Sequence, residues 1–140
     1  MKILVIDGQG GGLGRALVAQ LLKALPDHTI IAVGTNALAT SAMLRAGAHL
    51  GATGENAVIH NCRDADLILG AAGILVANAM LGEVTPAMAA AVGASPAEKV
   101  LVPTDRCRLH IAGVRPQPME TAVQEAVRLA ADLAGREATV

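Results

Sequence analysis

A glycine-rich loop between an apolar strand and an amphipathic helix constrains the fold of this chain more than any other feature. Residues 2–7 contain four consecutive branched apolar residues, which indicates a buried strand because the run is too short for a helix. Five glycines follow within residues 8–14. Apolar residues then recur at helical spacing until Pro26: Leu13, Leu17, Val18, Leu21, Leu22 and Leu25. A strand, a glycine turn and a helix in this order can present backbone N–H groups to a phosphate group, so the sequence predicts a nucleotide-binding loop.

The spacing of the glycines distinguishes between the known kinds of phosphate loop. The G-x-G-x-x-G pattern fails because Leu13 or Arg15 occupies the position of its third glycine. The Walker pattern fails because Gln9 replaces its first glycine. The pattern that fits is G-x-x-x-G-x-G, at Gly8, Gly12 and Gly14. Residues 8–18 therefore resemble the cofactor loop of short-chain dehydrogenases/reductases, which bind NAD(H) or NADP(H) on a doubly wound sheet. A tight turn that binds nothing is the alternative.

One trait of these reductases is missing from the chain. They use a Tyr-x-x-x-Lys pair in catalysis, and this sequence contains no tyrosine, phenylalanine or tryptophan. The resemblance therefore extends to the cofactor loop and excludes the usual catalytic pair.

Composition limits the class of protein and its partners. The 140 residues predict one domain, residues 1–140, and the net charge of −1 without a basic run argues against nucleic acid as a partner. No apolar stretch reaches the roughly 18 residues of a membrane span, and two distant cysteines suggest a cytoplasmic protein with free thiols. Apolar residues make up 53% of the chain, a surplus that predicts a homo-oligomer, most simply a dimer.

Strand-like and helix-like segments alternate along the chain. Further strands are predicted at residues 28–35, 66–70, 99–103 and 109–113, with residues 48–54 irregular or a short edge strand. Further helices are predicted at residues 36–46, 55–63, 74–81, 85–92 and from 118 to 134. This order predicts an α/β fold: a single-domain, Rossmann-like, doubly wound and mainly parallel sheet of five or six strands, with helices on both faces.

Several segments outside the first loop resemble one family over nearly the whole chain. They are residues 6–14, 32–36, 54–57, 77–83 and 85–88. With them the chain resembles a small uncharacterised bacterial family of about this length, a domain of unknown function with a Rossmann-like N-terminus. The resemblance supports the fold and implies no activity.

The predicted cofactor-binding residues lie where strands end, because ligands of doubly wound sheets bind at that edge. They are Gly8, Gln9, Gly10, Gly11, Gly12, Leu13, Gly14, Arg15, Thr35, Asn36 and Gly73. No acidic residue lies between Asp27 and Glu55 to bind the ribose hydroxyls of NAD, whereas Thr35, Asn36 and Arg15 suit a 2′-phosphate. We therefore expect NADP or NAD as the cofactor, with NADP favoured and a mononucleotide or another phosphorylated ligand as the alternative.

Four other groups of polar residues have two interpretations each. Asp7 either accepts N–H bonds from the glycine loop and shapes it, or contacts magnesium or ribose. His60, Cys62, Cys107 and His110 are ligand types for zinc, but a helix would place His60 and Cys62 on different sides, so no metal site is predicted. Asn78 and Glu83 either contact the ligand or cap a helix. Cys107 either fills a turn or is a reactive thiol, since Arg106 and Arg108 favour a thiolate.

Two functions follow from these interpretations. The first is a nucleotide-binding protein that acts as a sensor or carrier. The second is a small NAD(P)-dependent oxidoreductase-like enzyme in which Cys107 or Asp105 is the reacting group. The missing tyrosine and the absence of a substrate domain favour the first function.

Overall fold

The sheet has five strands, all parallel, in the computed structural model of the chain, which describes residues 1–104 and 108–138. The strands are β1 (Lys2–Asp7), β2 (Thr29–Gly34), β3 (Leu50–Thr53), β4 (Leu67–Ala71) and β5 (Glu98–Val102). Their order across the sheet is β3-β2-β1-β4-β5. This order is that of a Rossmann-like doubly wound sheet, which confirms the predicted α/β fold.

Five α-helices connect or follow the strands: α1 (Gly12–Ala24), α2 (Ala37–Arg45), α3 (Glu55–Cys62), α4 (Pro86–Ala94) and α5 (Met119–Ala138). One core cluster joins alternate residues of the strands to α1, α2 and α5, and includes Val5, Leu17, Met43, Leu69 and Val127. A second cluster joins the remaining strand residues to α3 and α4, and includes Ile6, Val58, Ile68 and Val92. Helices therefore cover both faces of the sheet, and both faces are buried, as in other parallel sheets.

The strand predicted at residues 109–113 does not form. These residues are exposed, with Leu109 and Ile111 exposed by 39% and 45%, and Gly113 lies in the left-handed region at φ 86°. The sheet nevertheless has five strands, because β3 forms within the segment predicted as irregular or as a short edge strand. It pairs with β2 from Ile31 to Gly34.

The helix predicted at residues 74–81 is also wrong. A short 3-10 turn covers Ala72–Leu75, and a compact loop of residues 76–84 follows. Asn78, Met80 and Leu81 have positive φ values of 67°, 57° and 58°, which an α-helix cannot accommodate. At the other end of the chain, α5 continues through Gly135, which was expected to lie beyond the helix.

Within residues 1–104 and 108–138, no helix has both the length and the apolar character needed to cross a membrane.

Candidate functional site

The carboxyl ends of β1 and β2 bring the predicted loop residues together. β1 lies at the centre of the sheet, where the chain runs to β2 on one side and later to β4 on the other. Ligands of such sheets bind at this switch point. The backbone N–H of Thr35 donates to the Asp7 carbonyl at 2.9 Å, and the Asn36 side-chain amide donates to the Gln9 carbonyl at 3.0 Å. The glycine loop and the start of α2 therefore form one continuous surface.

Asp7 shapes the glycine loop. One carboxylate oxygen accepts the N–H of Gly8 at 2.8 Å, and the other accepts the N–H of Gly14 at 2.6 Å. Burial raises the pKa of Asp7 above its ordinary value, while these two backbone hydrogen bonds act in the opposite direction. Because both oxygens are engaged by the loop, the interpretation of Asp7 as its structural acceptor is confirmed.

Three backbone N–H groups of the same loop have no acceptor among the described residues. They belong to Gly10, Gly12 and Leu13. The first residue before α1, Gly11, has a left-handed φ of 75° and provides no side-chain cap, whereas Asn36 and Thr85 cap α2 and α4. The N-terminal end of α1 therefore retains unused hydrogen-bond donors and the positive end of its dipole.

The glycines of the loop fall into two groups. A Cβ added to Gly8 or Gly14 would lie 2.6 Å from a neighbouring side-chain atom, and one added to Gly11 would lie 2.9 Å from the backbone of Ala39. These three glycines are required by the packing of the protein itself. A Cβ on Gly10 or Gly12 would meet nothing within 4 Å, and neither residue has a positive φ. The space above Gly10 and Gly12 is open.

Glu83 is a site residue that sequence reasoning did not include among the cofactor-binding positions. Its Oε1 atom accepts three hydrogen bonds: from the Gln9 N–H at 2.8 Å, the Thr35 hydroxyl at 2.7 Å and the Asn36 amide at 2.8 Å. The Gln9 N–H, followed by the Thr35 hydroxyl, lowers the pKa of Glu83 below its ordinary value. The hydrogen bonds of Oε1 are therefore to the glycine loop and to the residues before α2, and contact of Glu83 with a ligand stays a prediction.

The loop of residues 76–84 carries Glu83 to this position. Hydrogen bonds within the loop, such as Asn78 N–H to the Val84 carbonyl at 2.7 Å, hold it in a compact shape. The Met80 sulfur lies 2.7 Å from the point where a Gly8 Cβ would stand, so Met80 covers the start of the glycine loop. Leu81, by contrast, is 99% exposed.

The remaining predicted site residues are placed as follows. Arg15 is exposed in the first turn of α1 and makes no ion pair with any residue that the structure describes. Gly73 is buried in the 3-10 turn after β4, at the same edge of the sheet. Cys107 and Asp105, the candidate reacting groups, lie outside the described residues. His60 is exposed and Cys62 is buried, so the two do not share one side of α3.

Comparison with known proteins identifies a family and two solved structures of similar fold. The family described as "Domain of unknown function (DUF3842)" matches residues 2–134, and no curated protein matches the chain. A dodecameric FMN-dependent UbiX-like decarboxylase from Escherichia coli O157:H7 is 20% identical, with 96% of this chain and 76% of that chain covered and a TM-score of 0.46. A crystal structure of AibC is 18% identical, covering 93% of this chain and 38% of that chain, with a TM-score of 0.47.

The expectation of NADP or NAD as the cofactor is wrong. The decarboxylase among the similar structures is FMN-dependent. The site itself also lacks the arrangement that favoured NADP, because the Thr35 hydroxyl and the Asn36 amide donate to Glu83. A carboxylate at this point repels a 2′-phosphate.

Proposed function

The chain belongs to the DUF3842 family, and we propose that it binds a phosphorylated small molecule of mononucleotide size between β1 and α1. The phosphate group accepts hydrogen bonds from the backbone N–H groups of Gly10, Gly12 and Leu13. One observation carries the proposal. The three donors have no acceptor among the described residues, and the space above Gly10 and Gly12 is open.

The two open glycines support a ligand that approaches the backbone closely. Glycine costs roughly 0.4–1 kcal/mol relative to alanine at a position whose backbone suits both residues, because the unfolded chain with glycine has more freedom to lose. At Gly10 and Gly12 neither a positive φ nor a neighbouring atom offsets this cost. A phosphate oxygen in contact with the peptide groups would account for the absence of a side chain at both positions.

The charges around the loop are compatible with an anion. The first turn of α1 contains no acidic residue, and Arg15 in that turn is exposed. The carboxylate of Asp7 is buried, and both its oxygens accept N–H bonds from the loop. Arg15 and the helix dipole therefore supply positive potential to the open side of the loop.

We propose a sensor or carrier role for the protein, with residues 1–140 acting as one nucleotide-binding domain. In this role it is a cytoplasmic homo-oligomer whose partner is the small phosphorylated ligand. The free thiol of Cys62 suits a reducing compartment, and the 53% of apolar residues suits a subunit interface.

Amide chemical shifts test the proposal directly. A ¹⁵N-labelled sample is titrated with inorganic phosphate, AMP and FMN, the last being the cofactor of one protein of similar fold. We expect saturable shifts of the Gly10, Gly12 and Leu13 amides, while the amides of Gly113 and Gly135 serve as controls far along the chain. If no ligand shifts the three loop amides, the proposed function is wrong.

Absorbance offers a second measurement, because a chain without tyrosine or tryptophan is nearly transparent at 280 nm. Any bound nucleotide or flavin that is retained through purification would dominate the near-ultraviolet spectrum. Its release on denaturation, followed by mass spectrometry, would identify the ligand.

A further inference from the structure

The two oxygens of the Glu83 carboxylate differ in their hydrogen bonds. Oε1 accepts from Gln9, Thr35 and Asn36, whereas Oε2 has no partner in the part of the chain that the structure describes. The side chain is half-buried at the edge of the sheet that carries the glycine loop. An ionised carboxylate oxygen has two lone pairs and can only accept, so Oε2 is an acceptor open to a ligand.

Glu83 is not needed to connect the loop to α2, because other hydrogen bonds already do so. Asn36 donates to the Gln9 carbonyl at 3.0 Å, and its side-chain oxygen accepts the Ala39 N–H at 2.9 Å. The backbone of Thr35 donates to the Asp7 carbonyl at 2.9 Å. The three donors of the Glu83 Oε1 atom instead fix the direction of the carboxylate.

The position of Glu83 defines what can lie next to the phosphate. Its Oε1 atom accepts the Gln9 N–H, and Gln9 is adjacent to Gly10, whose own N–H is one of the free donors. A carboxylate repels a second phosphate and attracts hydroxyl groups, which donate charge-assisted hydrogen bonds to it. Next to Glu83, a ligand with hydroxyl groups is therefore favoured over one with a second phosphate.

We propose that the ligand is a phosphate monoester of a sugar or sugar alcohol, whose carbon skeleton carries free hydroxyl groups near the phosphate, and that Glu83 binds those hydroxyls. This inference rests on the proposed function, since it names the class of ligand for the same loop. Ribose 5-phosphate units of nucleotides, the ribityl phosphate of FMN and free sugar phosphates share this chemistry. Glu83 is thus a specificity-determining residue, and the amides of the loop supply the phosphate contact.

Two simple ligands test the inference on the wild-type protein. Ribose 5-phosphate and propyl phosphate carry the same phosphate monoester, and only the first has hydroxyl groups. A hydrogen bond to a charged group contributes enough to change affinity about tenfold or more. We therefore expect calorimetry to show that ribose 5-phosphate binds at least about tenfold more tightly than propyl phosphate. AMP and FMN, measured in the same way, distinguish a nucleotide from a flavin or a free sugar phosphate.

The variant Glu83→Gln isolates the unused oxygen. It retains an oxygen that can accept from Gln9, Thr35 and Asn36, but replaces Oε2 by an NH₂ group that cannot accept. We expect it to lose the preference for ribose 5-phosphate and to bind propyl phosphate at least as tightly as the wild type. Glu98→Gln is the matched control, because Glu98 is exposed at the amino end of β5 and carries the same charge.

The outcomes separate this inference from the proposed function. If the wild type binds both ligands equally and Glu83→Gln changes neither affinity, the role of Glu83 is refuted and the phosphate site remains. If the wild type binds none of the four ligands, the phosphate site and the role of Glu83 are both refuted. A loss of preference in Glu98→Gln as well would show a general charge effect and would also refute the role of Glu83.

Discussion

The carboxylate of Asp7, the last residue of β1, accepts a hydrogen bond of 2.6 Å from the backbone N–H of Gly14 in the first turn of α1. Its other oxygen accepts the N–H of Gly8 at 2.8 Å. One side chain therefore connects both ends of the glycine loop to the strand before it. Among the described residues, the N–H groups of Gly10, Gly12 and Leu13 stay without an acceptor, so the chain itself sets the shape of the loop before any ligand binds.

We expect Asp7→Asn to destabilise the protein by about 1–3 kcal/mol, since it leaves a buried backbone N–H without an acceptor. An amide side chain has one oxygen, and its NH₂ group would face the N–H of either Gly8 or Gly14. Urea denaturation followed by circular dichroism measures the loss. Asp27→Asn, at an exposed position, is the control. Equal stability of the two variants would show that Asp7 does not hold the loop.

The strand and the helix on either side of the glycine loop could be predicted from the apolar pattern, a short unbroken run for β1 and a helical period for α1. Residues 2–7 and the leucines that follow the glycines formed β1 and α1, because both patterns bury one continuous apolar surface. The helix predicted at residues 74–81 does not form. Its apolar residues follow no helical period, and Asn78, Met80 and Leu81 adopt left-handed conformations that a helix excludes. Apolar character without a period does not distinguish a helix from a compact loop.

The carboxylate of the site could not be predicted in the same way. Glu83 is 48 residues from Thr35 along the chain, and only the folded loop of residues 76–84 brings it to the end of β2. In the sequence, no acidic residue lies between Asp27 and Glu55, so the sequence pattern favours NADP although a carboxylate lies at the end of β2 in the fold. In the sequence, Glu83 stands out only as a polar residue in an apolar segment. That pattern does not show which part of the fold the side chain contacts.

The stability of the protein should depend on the ionisation of Glu83. Its pKa is lowered from 4.5, first by the Gln9 N–H and then by the Thr35 hydroxyl, so the unfolded state binds the proton more tightly. The stabilisation is therefore complete above the unfolded pKa and is lost as the pH falls through the lower, folded pKa. We expect the stability difference between the wild type and Glu83→Gln to be constant near neutral pH and to shrink below pH 4.5.

Urea denaturation at a series of values between about pH 3 and about pH 6 measures this difference. The pKa of Asp7 shifts in the opposite direction, upward from 3.8. Because Asp7 is present in both proteins, its contribution to the difference in stability largely cancels. A difference that does not vary with pH would mean that the Glu83 charge contributes nothing to the folded loop.

Cys62 should be unreactive in the folded protein. Its side chain is 2% exposed, and burial raises the pKa of its thiol to about 11, so almost no thiolate is present near neutral pH. We expect iodoacetamide to leave Cys62 unmodified until the protein is unfolded. Cys107 remains a prediction from its flanking arginines, and mass spectrometry of the alkylated peptides should find it modified first. Rapid labelling of native Cys62 would contradict its burial between α3 and the sheet.

The predicted homo-oligomer can be tested on α5. Leu129 is 54% exposed on this helix. We expect light scattering to give a multiple of the 14.1 kDa chain mass, and Leu129→Glu to shift the protein toward the monomer. The neighbouring Arg128→Glu introduces the same side chain at another exposed position and should have little effect. A monomeric wild type at micromolar concentration would exclude the oligomer.

Gly12→Ala should separate the stability of the protein from its function. An added Cβ would meet nothing within 4 Å and φ is not positive, so the substitution should stabilise the ligand-free protein, by about 0.4–1 kcal/mol. Gly135→Ala is a matched control, since Gly135 lies in α5 and its Cβ would also meet nothing within 4 Å. We expect thermal denaturation to show a similar gain for both variants.

Only one of these two variants should affect the ligand. A methyl group on Gly12 occupies the open space in which we place the phosphate, so Gly12→Ala should bind AMP or FMN at least about tenfold more weakly, whereas Gly135→Ala should bind like the wild type. Calorimetry on the two folded variants makes the comparison. Unchanged affinity in a stable Gly12→Ala protein would mean that the added methyl group does not meet the phosphate. The phosphate would then bind elsewhere.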